Sequence, residues 1–307
     1  DRYRTYCPFY LSLISDTPTQ HQPLKLDGRR KSTNIDDRRG QGGSRGRLLG
    51  GGIIGVIVAL AAAFFGGDIA NIISQIAGSS GLGSTQPQQP YTAPAEEEAL
   101  ADFSKQIFAG TEDVWSEIFR RNGLQYEPPK LVLYTGSTTS GCGNADASIG
   151  PFYCSADESV YIDLSFFRNM RRTLGADGDF AYAYVIAHEV GHHVQHLLGT
   201  LEKTHQRMQH LPEKEANRLS VALELQADFY AGVWAYHDNR MFGSLEPGDI
   251  DEALDAAQKI GDDYLQKQAQ GYAVPETFNH GTSQQRSHWL RLGLDTGDPD
   301  RGDTFSY

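Results

Sequence analysis

The sequence predicts an α+β domain in the C-terminal two-thirds of the 307-residue chain. Two short runs with strand character, KLVLY (130–134) and SVYIDL (159–164), come before two helical patterns that carry titratable side chains, and a further helical pattern covers 249–268. Strands that precede a group of helices are typical of α+β folds. An earlier helical pattern begins at Ala99 and is expected to be interrupted near Gly110.

Composition divides the chain into four regions. Residues 1–47 form a polar, glycine-rich and basic tail that is predicted to be disordered, and 1–24, which begin with Asp1 rather than Met, are interpreted as an upstream extension or a misassigned start. Residues 48–67 contain no charged side chain, and a helix of 20 such residues is about as long as a bilayer core is thick. Residues 68–98 are a linker rich in Gly, Pro and Gln, and 99–307 form the folded domain.

The charge distribution predicts a single-pass membrane topology. Four arginines precede the apolar segment and Asp68 follows it, so the positive-inside rule places residues 1–47 in the cytoplasm and the domain outside, in the periplasm or at the cell exterior. A cleaved signal peptide is the alternative, because Ala61-Ala62-Ala63 resembles a cleavage site, but the apolar run is long for such a peptide. Residues 48–307 carry 17 basic and 34 acidic side chains, and this excess of acid argues against nucleic-acid binding.

The segment AHEVGHHVQHLLG (187–199) is predicted to be a metal-binding helix. Asp177 or Asp179 is the expected N-cap, and Gly199 the expected end. His188 and His192 are four residues apart and share one face of the helix, so both imidazoles can bind one zinc ion, while Glu189 can reach a water on that ion as a general base. His193 and His196 are interpreted as surface groups or as groups that act on the metal only through other residues.

A catalytic zinc ion needs a third protein ligand. A histidine six residues after His192 is excluded, because Leu198 occupies that position. The segment LELQADFYAGVWAY (223–236) offers Glu224 and Asp228 on one face of a second helix. We therefore predict Glu224 as the third ligand and Asp228 as the hydrogen-bond acceptor that orients His188. An exposed acidic helix face is the alternative.

Two further catalytic candidates lie near the C-terminus, in FNHGTSQQRSHWL (278–290). His280 precedes a glycine, as a loop residue that projects into a cleft would, and could stabilise an oxyanion. Arg286 could bind a substrate carbonyl or hold a carboxylate. The alternative is an ordinary loop histidine and an arginine at the start of a helix.

With these residues in place, the chain resembles the YpfJ-like family of bacterial neutral zinc metallopeptidases and, more distantly, the membrane-bound gluzincins of the prenyl-protease and heat-shock protease type. The resemblance rests on His188-Glu189-Val190-Gly191-His192, on Glu224-Leu225-Gln226-Ala227-Asp228, and on His280 with Arg286, and it extends from about Lys25 to the C-terminus. It implies a zincin-like fold and peptidase activity but no particular substrate. The distant relatives have a proline where this chain has Gly281.

Cys142 and Cys154 are predicted to form a disulfide, because they lie 12 residues apart in a domain placed outside the cytoplasm. Zinc binding by these thiols is the alternative. The segment 143–150 between them is interpreted as an edge strand to which an extended peptide substrate could add.

The predicted function is that of a membrane-anchored zinc metalloendopeptidase that hydrolyses peptide bonds of a peptide or protein substrate with a Glu189-activated, zinc-bound water. The alternative is a membrane-tethered binding or scaffold module with a structural zinc site, which would need four protein ligands.

Overall fold

The computed structural model describes residues 24–40, 91–146, 149–176 and 178–306. Six strands are described: β1 (Ile35–Asp37), β2 (Lys130–Tyr134), β3 (Ser137–Ser140), β4 (Gly143–Asp146), β5 (Phe152–Cys154) and β6 (Ser159–Asp163). The α-helices are α1 (Ala95–Arg121), α2 (Leu164–Asn169), α3 (Asp179–Leu197), α4 (Thr200–Met208), α5 (Glu213–Phe242), α6 (Asp249–Lys259), α7 (Asp262–Gln270) and α8 (Ser283–Thr296). A π-helical turn covers Met170–Leu174, and 3₁₀ turns cover Pro275–Thr277 and Pro299–Arg301. The predicted α+β class is confirmed.

A four-stranded sheet with the order β1-β2-β6-β5 supports the helices. Strands β1, β2 and β6 are parallel, and β5 is an antiparallel edge strand. Alternate residues point to opposite faces: Leu131 and Leu133 join the main core with the helices, whereas Val132 and Tyr134 join a small second cluster on the other face. The helices that carry the predicted site therefore all pack on one side of the sheet.

Helices α3 and α8 both pack against α5, at the centre of the helical layer. Gly232 of α5 and Gly293 of α8 lie against each other's helix backbone and leave no room for a side chain. This close crossing brings the start of α8 near the middle of α5, where Asp228 lies.

Two predicted helix boundaries are wrong. Helix α1 continues through Gly110, because Phe108, Val114 and Trp115 on either side of it are buried in the core and hold the helix together. The single helix predicted over 249–268 is instead two helices, α6 and α7. The chain turns between them because the backbone N–H of Asp262 donates to Gly281 O, 2.9 Å away, and its carboxylate binds the same loop.

The predicted disordered tail is wrong for residues 24–40. Strand β1 pairs with β2 in the main sheet, with Ile35 opposite Leu131. The buried guanidinium of Arg29 donates two hydrogen bonds to Asp238 of α5, at 2.8 and 2.5 Å. These residues thus belong to the folded domain, which is not compatible with a single membrane crossing between them and that domain.

The predicted transmembrane segment 48–67 lies outside the described residues. Within the described part of the chain, no helix combines the length and apolar character needed to cross a bilayer.

The predicted disulfide is confirmed: Cys142 and Cys154 are bonded, with a Cα–Cα distance of 5.8 Å. The bond ties the β3–β4 hairpin to β5. Of the segment 143–150 that was predicted to be an edge strand, Gly143–Asp146 is a strand; it pairs with Ser137–Ser140 in a separate two-stranded sheet and is not part of the main sheet. The antiparallel edge strand of the main sheet is β5, directly after that segment.

Candidate metal and catalytic site

Helix α3 carries the predicted metal-binding face. It begins at Asp179, with Gly178 rather than an aspartate at the N-cap, and it ends before Gly199, whose positive φ of 71° stops it as predicted. Gly191 lies where α3 meets α5: a Cβ there would lie 2.9 Å from the backbone oxygen of Ala227. This close approach allows short imidazole and carboxylate side chains from the two helices to meet.

The three predicted metal ligands converge between α3 and α5. Nε2 of His188 lies 3.2 Å from Oε2 of Glu224, and Nε2 of His192 lies 3.4 Å from its Oε1. The donor atoms of all three residues lie within 4.8 Å of one another, and no other such group was found among the described residues. Two imidazole nitrogens and one carboxylate oxygen suit a catalytic zinc site with an open fourth position.

Asp228 lies beside His188, at hydrogen-bond distance from its Nδ1. Its side chain is fully buried, and Oδ1 accepts hydrogen bonds from Nδ1 of His188 at 2.8 Å and from the Tyr184 hydroxyl at 2.6 Å. Because a carboxylate only accepts, Nδ1 of His188 carries the hydrogen, and Nε2 is left to face the metal position.

Of the two roles considered for Arg286, binding of a substrate carbonyl or holding of a carboxylate, its contacts fit the second. Its side chain is 4% exposed, and it donates to Asp228 from Nε at 2.8 Å and from Nη2 at 2.9 Å. Nη2 also lies 3.2 Å from the Tyr184 hydroxyl. Arg286 therefore holds the carboxylate that orients His188 and is a positioning residue rather than a catalytic one.

The sequence did not reveal Gln195, which orients the second ligand. Its Nε2 donates to Leu223 O at 2.7 Å and lies 3.1 Å from Oε1 of Gln226, so its Oε1 faces Nδ1 of His192 at 2.9 Å. Nδ1 of His192 must then carry the hydrogen, which again leaves Nε2 for the metal. The spacing of three residues from His192 was the available signal, but a glutamine there is also an ordinary helix residue.

The electrostatics of the site favour negative charge on Glu224 and Asp228 and positive charge on the two histidines, because the pKa values of these carboxyl groups are lowered and those of the imidazoles are raised. Burial alone would lower the pKa of His188, but Asp228 and Glu224 outweigh it and raise that pKa to about 10. A metal ion would replace the proton, because zinc binds neutral imidazole. Burial raises the pKa of Glu189, although His188 and His192 oppose this shift, and a raised carboxylate pKa suits a general base.

His280 lies near this group on the loop before α8. Its side chain is 36% exposed, and Nδ1 lies 3.0 Å from Oδ1 of Asp262. Desolvation alone would lower the pKa of His280, but the hydrogen bond to Asp262 and the charges of Glu224 and Asp262 outweigh it and raise that pKa. Asp262 also accepts the backbone N–H groups of residues 279–281, at distances from 2.7 to 3.0 Å. Nothing in the sequence around Asp262 distinguished it from the other acidic residues of this region.

The two remaining histidines of α3 are not metal ligands in this arrangement. His193 is fully buried, which corrects its interpretation as a surface group, and it binds Tyr153 and a backbone carbonyl. His196 lies near the surface beside Glu202.

A group of two histidines and one glutamate between two helices is typical of a zinc peptidase. Comparison with known sequences gives the same class. Residues 24–305 match the family model described as "Putative neutral zinc metallopeptidase", and the chain belongs to this family. Its cofactor is accordingly zinc.

The similarity to one relative covers most of the chain, and the similarity to another covers part of it. Over 290 residues the chain is 49% identical to uncharacterized protein YpfJ of Escherichia coli K12, a match that covers 92% of this chain and 99% of that protein. It is 44% identical over 191 residues to uncharacterized protein Rv2575 of Mycobacterium tuberculosis H37Rv, covering 59% of this chain and 64% of the relative. No solved structure matches the chain.

Proposed function

We propose that the protein is a zinc-dependent metalloendopeptidase of the gluzincin type, with a zincin-like fold, that hydrolyses internal bonds of peptides or proteins. The observation that carries the proposal is the convergence of His188, His192 and Glu224, with the buried Glu189 next to the first ligand on the same helix. Family membership supports the peptidase class, and the donor set supports zinc ligation by these three residues.

A zinc ion held by these side chains supplies Lewis acidity, which polarises a carbonyl and makes water more acidic. Glu189 accepts a proton from the attacking water and returns it to the leaving amine, and its burial keeps it basic enough for that exchange. His280 acts in its protonated form, which its raised pKa favours: Nδ1 donates to Asp262, and Nε2 donates to the oxygen of the scissile carbonyl as negative charge develops there. Asp228 and Gln195 fix the tautomers of the two histidine ligands.

A structural zinc site in a scaffold module is a weaker candidate. Such a site needs four protein ligands, and the group found among the described residues has three. The two residues considered as a fourth donor both have other partners: His193 binds Tyr153 and a backbone carbonyl, and Cys142 is in the disulfide.

We also propose that the domain lies outside the cytoplasm and is attached to a membrane through residues 48–67. The disulfide supports an oxidising compartment, and the 20 uncharged residues support the attachment.

The test compares the wild-type full-length chain with Glu189→Gln and Glu224→Ala. Wild type should contain one zinc ion per chain and digest an unbiased peptide library. Glu189→Gln should keep the zinc and lose digestion, whereas Glu224→Ala should lose both. Equal zinc retention by wild type and Glu224→Ala would refute the ligand set, and digestion by Glu189→Gln at the wild-type rate would refute the assignment of the base.

A further inference from the structure

His193 follows the metal ligand His192 on α3, yet both of its ring nitrogens bind groups outside that helix. Nε2 lies 2.7 Å from the backbone oxygen of Glu127, in the loop before β2, and Nδ1 lies 2.9 Å from the Tyr153 hydroxyl, in β5. The side chain is fully buried. A backbone carbonyl only accepts, so Nε2 carries the hydrogen, and in the neutral ring Nδ1 then accepts from Tyr153.

Strand β5 is short and lies at the edge of the main sheet. It is three residues long, and among the described strands it pairs only with β6. Tyr153 points towards α3, while Phe152 and Cys154 point to the opposite face of the sheet. There Phe152 stacks on Tyr161, with ring centroids 4.7 Å apart, and Cys154 forms the disulfide. The hydrogen bond to His193 is therefore the polar tie between this edge strand and the metal-binding helix.

The helical spacing of α3 places His193, which holds β5, next to the proposed base Glu189. Glu189 and His193 are four residues apart and share a face of the helix, so one turn carries both the proposed base and the anchor of β5. An unpaired edge strand offers backbone groups to which an extended peptide can add. A β5 that is held against α3 would then present these backbone groups in place, and an extended peptide would bind without first ordering the strand.

We propose that His193 is a positioning residue which, through Tyr153, fixes the edge strand β5 for the binding of an extended peptide substrate. This proposal rests on the proposed peptidase function. It assigns to the second histidine of the His192-His193 pair a part in substrate binding rather than in metal binding.

The chain offers a matched control in Tyr126. Its ring also packs edge-on against His193, with ring centroids 5.8 Å apart compared with 5.4 Å for Tyr153. The hydroxyl of Tyr126 is buried and has no hydrogen-bond partner among the described residues. Tyr126→Phe and Tyr153→Phe thus remove the same atom from two rings that contact His193, but only Tyr153→Phe breaks a hydrogen bond to it.

The experiment uses full-length, zinc-loaded protein and fluorescein-labelled, unfolded casein as the probe. KM and kcat are measured for wild type and both variants, and the Kd for the same probe is measured by anisotropy with each change placed in the Glu189→Gln protein. Tyr153→Phe should raise KM and Kd about fivefold, the equivalent of one net hydrogen bond. Its kcat and zinc content should match wild type, and Tyr126→Phe should match wild type throughout.

Equal effects of the two substitutions, or an effect of Tyr153→Phe on thermal stability alone, would overturn the proposal and make His193 a packing residue. Absence of casein binding in every Glu189→Gln protein would also overturn it. Failure of the proposed function has a different signature: the zinc-loaded wild type binds casein but leaves it intact.

Discussion

Replacing Arg286 by methionine distinguishes a positioning role from direct catalysis. Arg286 is 4% exposed and donates two hydrogen bonds to the fully buried Asp228. Methionine keeps much of the side-chain volume but leaves the Asp228 carboxylate without its cation. Loss of one partner from a buried ion pair costs about 3–5 kcal/mol. We expect the lower part of that range, because His188 and Tyr184 still donate to Asp228.

The assay is urea unfolding of the metal-free protein, followed by zinc titration and kinetics of the folded variant. Arg120→Met is the control, because Arg120 is 71% exposed in its ion pair with Glu117 and exposed ion pairs contribute little to stability. An Arg286→Met protein as stable as the control, but with kcat reduced about 100-fold or more, would refute our reasoning. That combination is expected of a lost oxyanion stabiliser.

Three other substitutions test the site and its supports. Gln195→Met should lower zinc affinity about 10–100-fold, measured by competition with a chelator, because His192 loses the acceptor that orients it; unchanged affinity would contradict this role. Gly191→Ala should lower the free energy of unfolding by about 1–3 kcal/mol, measured in urea, because the added methyl group lies 2.9 Å from a backbone oxygen of the facing helix. Replacing Cys142 and Cys154 together by serine should cost about 3 kcal/mol, with zinc content unchanged, and non-reducing mass spectrometry of the wild type checks the bond directly.

The convergence of His188, His192 and Glu224 could be predicted because the sequence signal for it is local. His188 and His192 recur at helical spacing within one segment, and Glu224 and Asp228 do so within another, so each helix presents its pair whatever the rest of the fold does. The same holds for the pairing of Cys142 with Cys154, which lie close in sequence.

The partners of Arg286 and His280 could not be predicted, because these contacts join distant parts of the chain. Arg286 meets Asp228 only because two glycines allow α5 and α8 to touch, and Asp262 meets His280 only because the chain turns after α6. The basic composition of residues 24–40 suggested disorder, but the free energy that orders them comes from a partner strand and from the buried Asp238, both more than 90 residues away.

The place of β1 in the main sheet limits how the two parts of the chain can lie relative to a membrane. Gly40, shortly after β1, lies directly against the ring of Tyr91, just before α1. Residues 24–40 and residues 91–306 are therefore parts of one folded unit, joined both at this contact and through the pairing of β1 with β2. A membrane cannot separate the two parts, so both lie on the same side of it. Impermeant thiol reagents should accordingly label single cysteines placed at Lys31 and at Arg301 from the same side of the membrane.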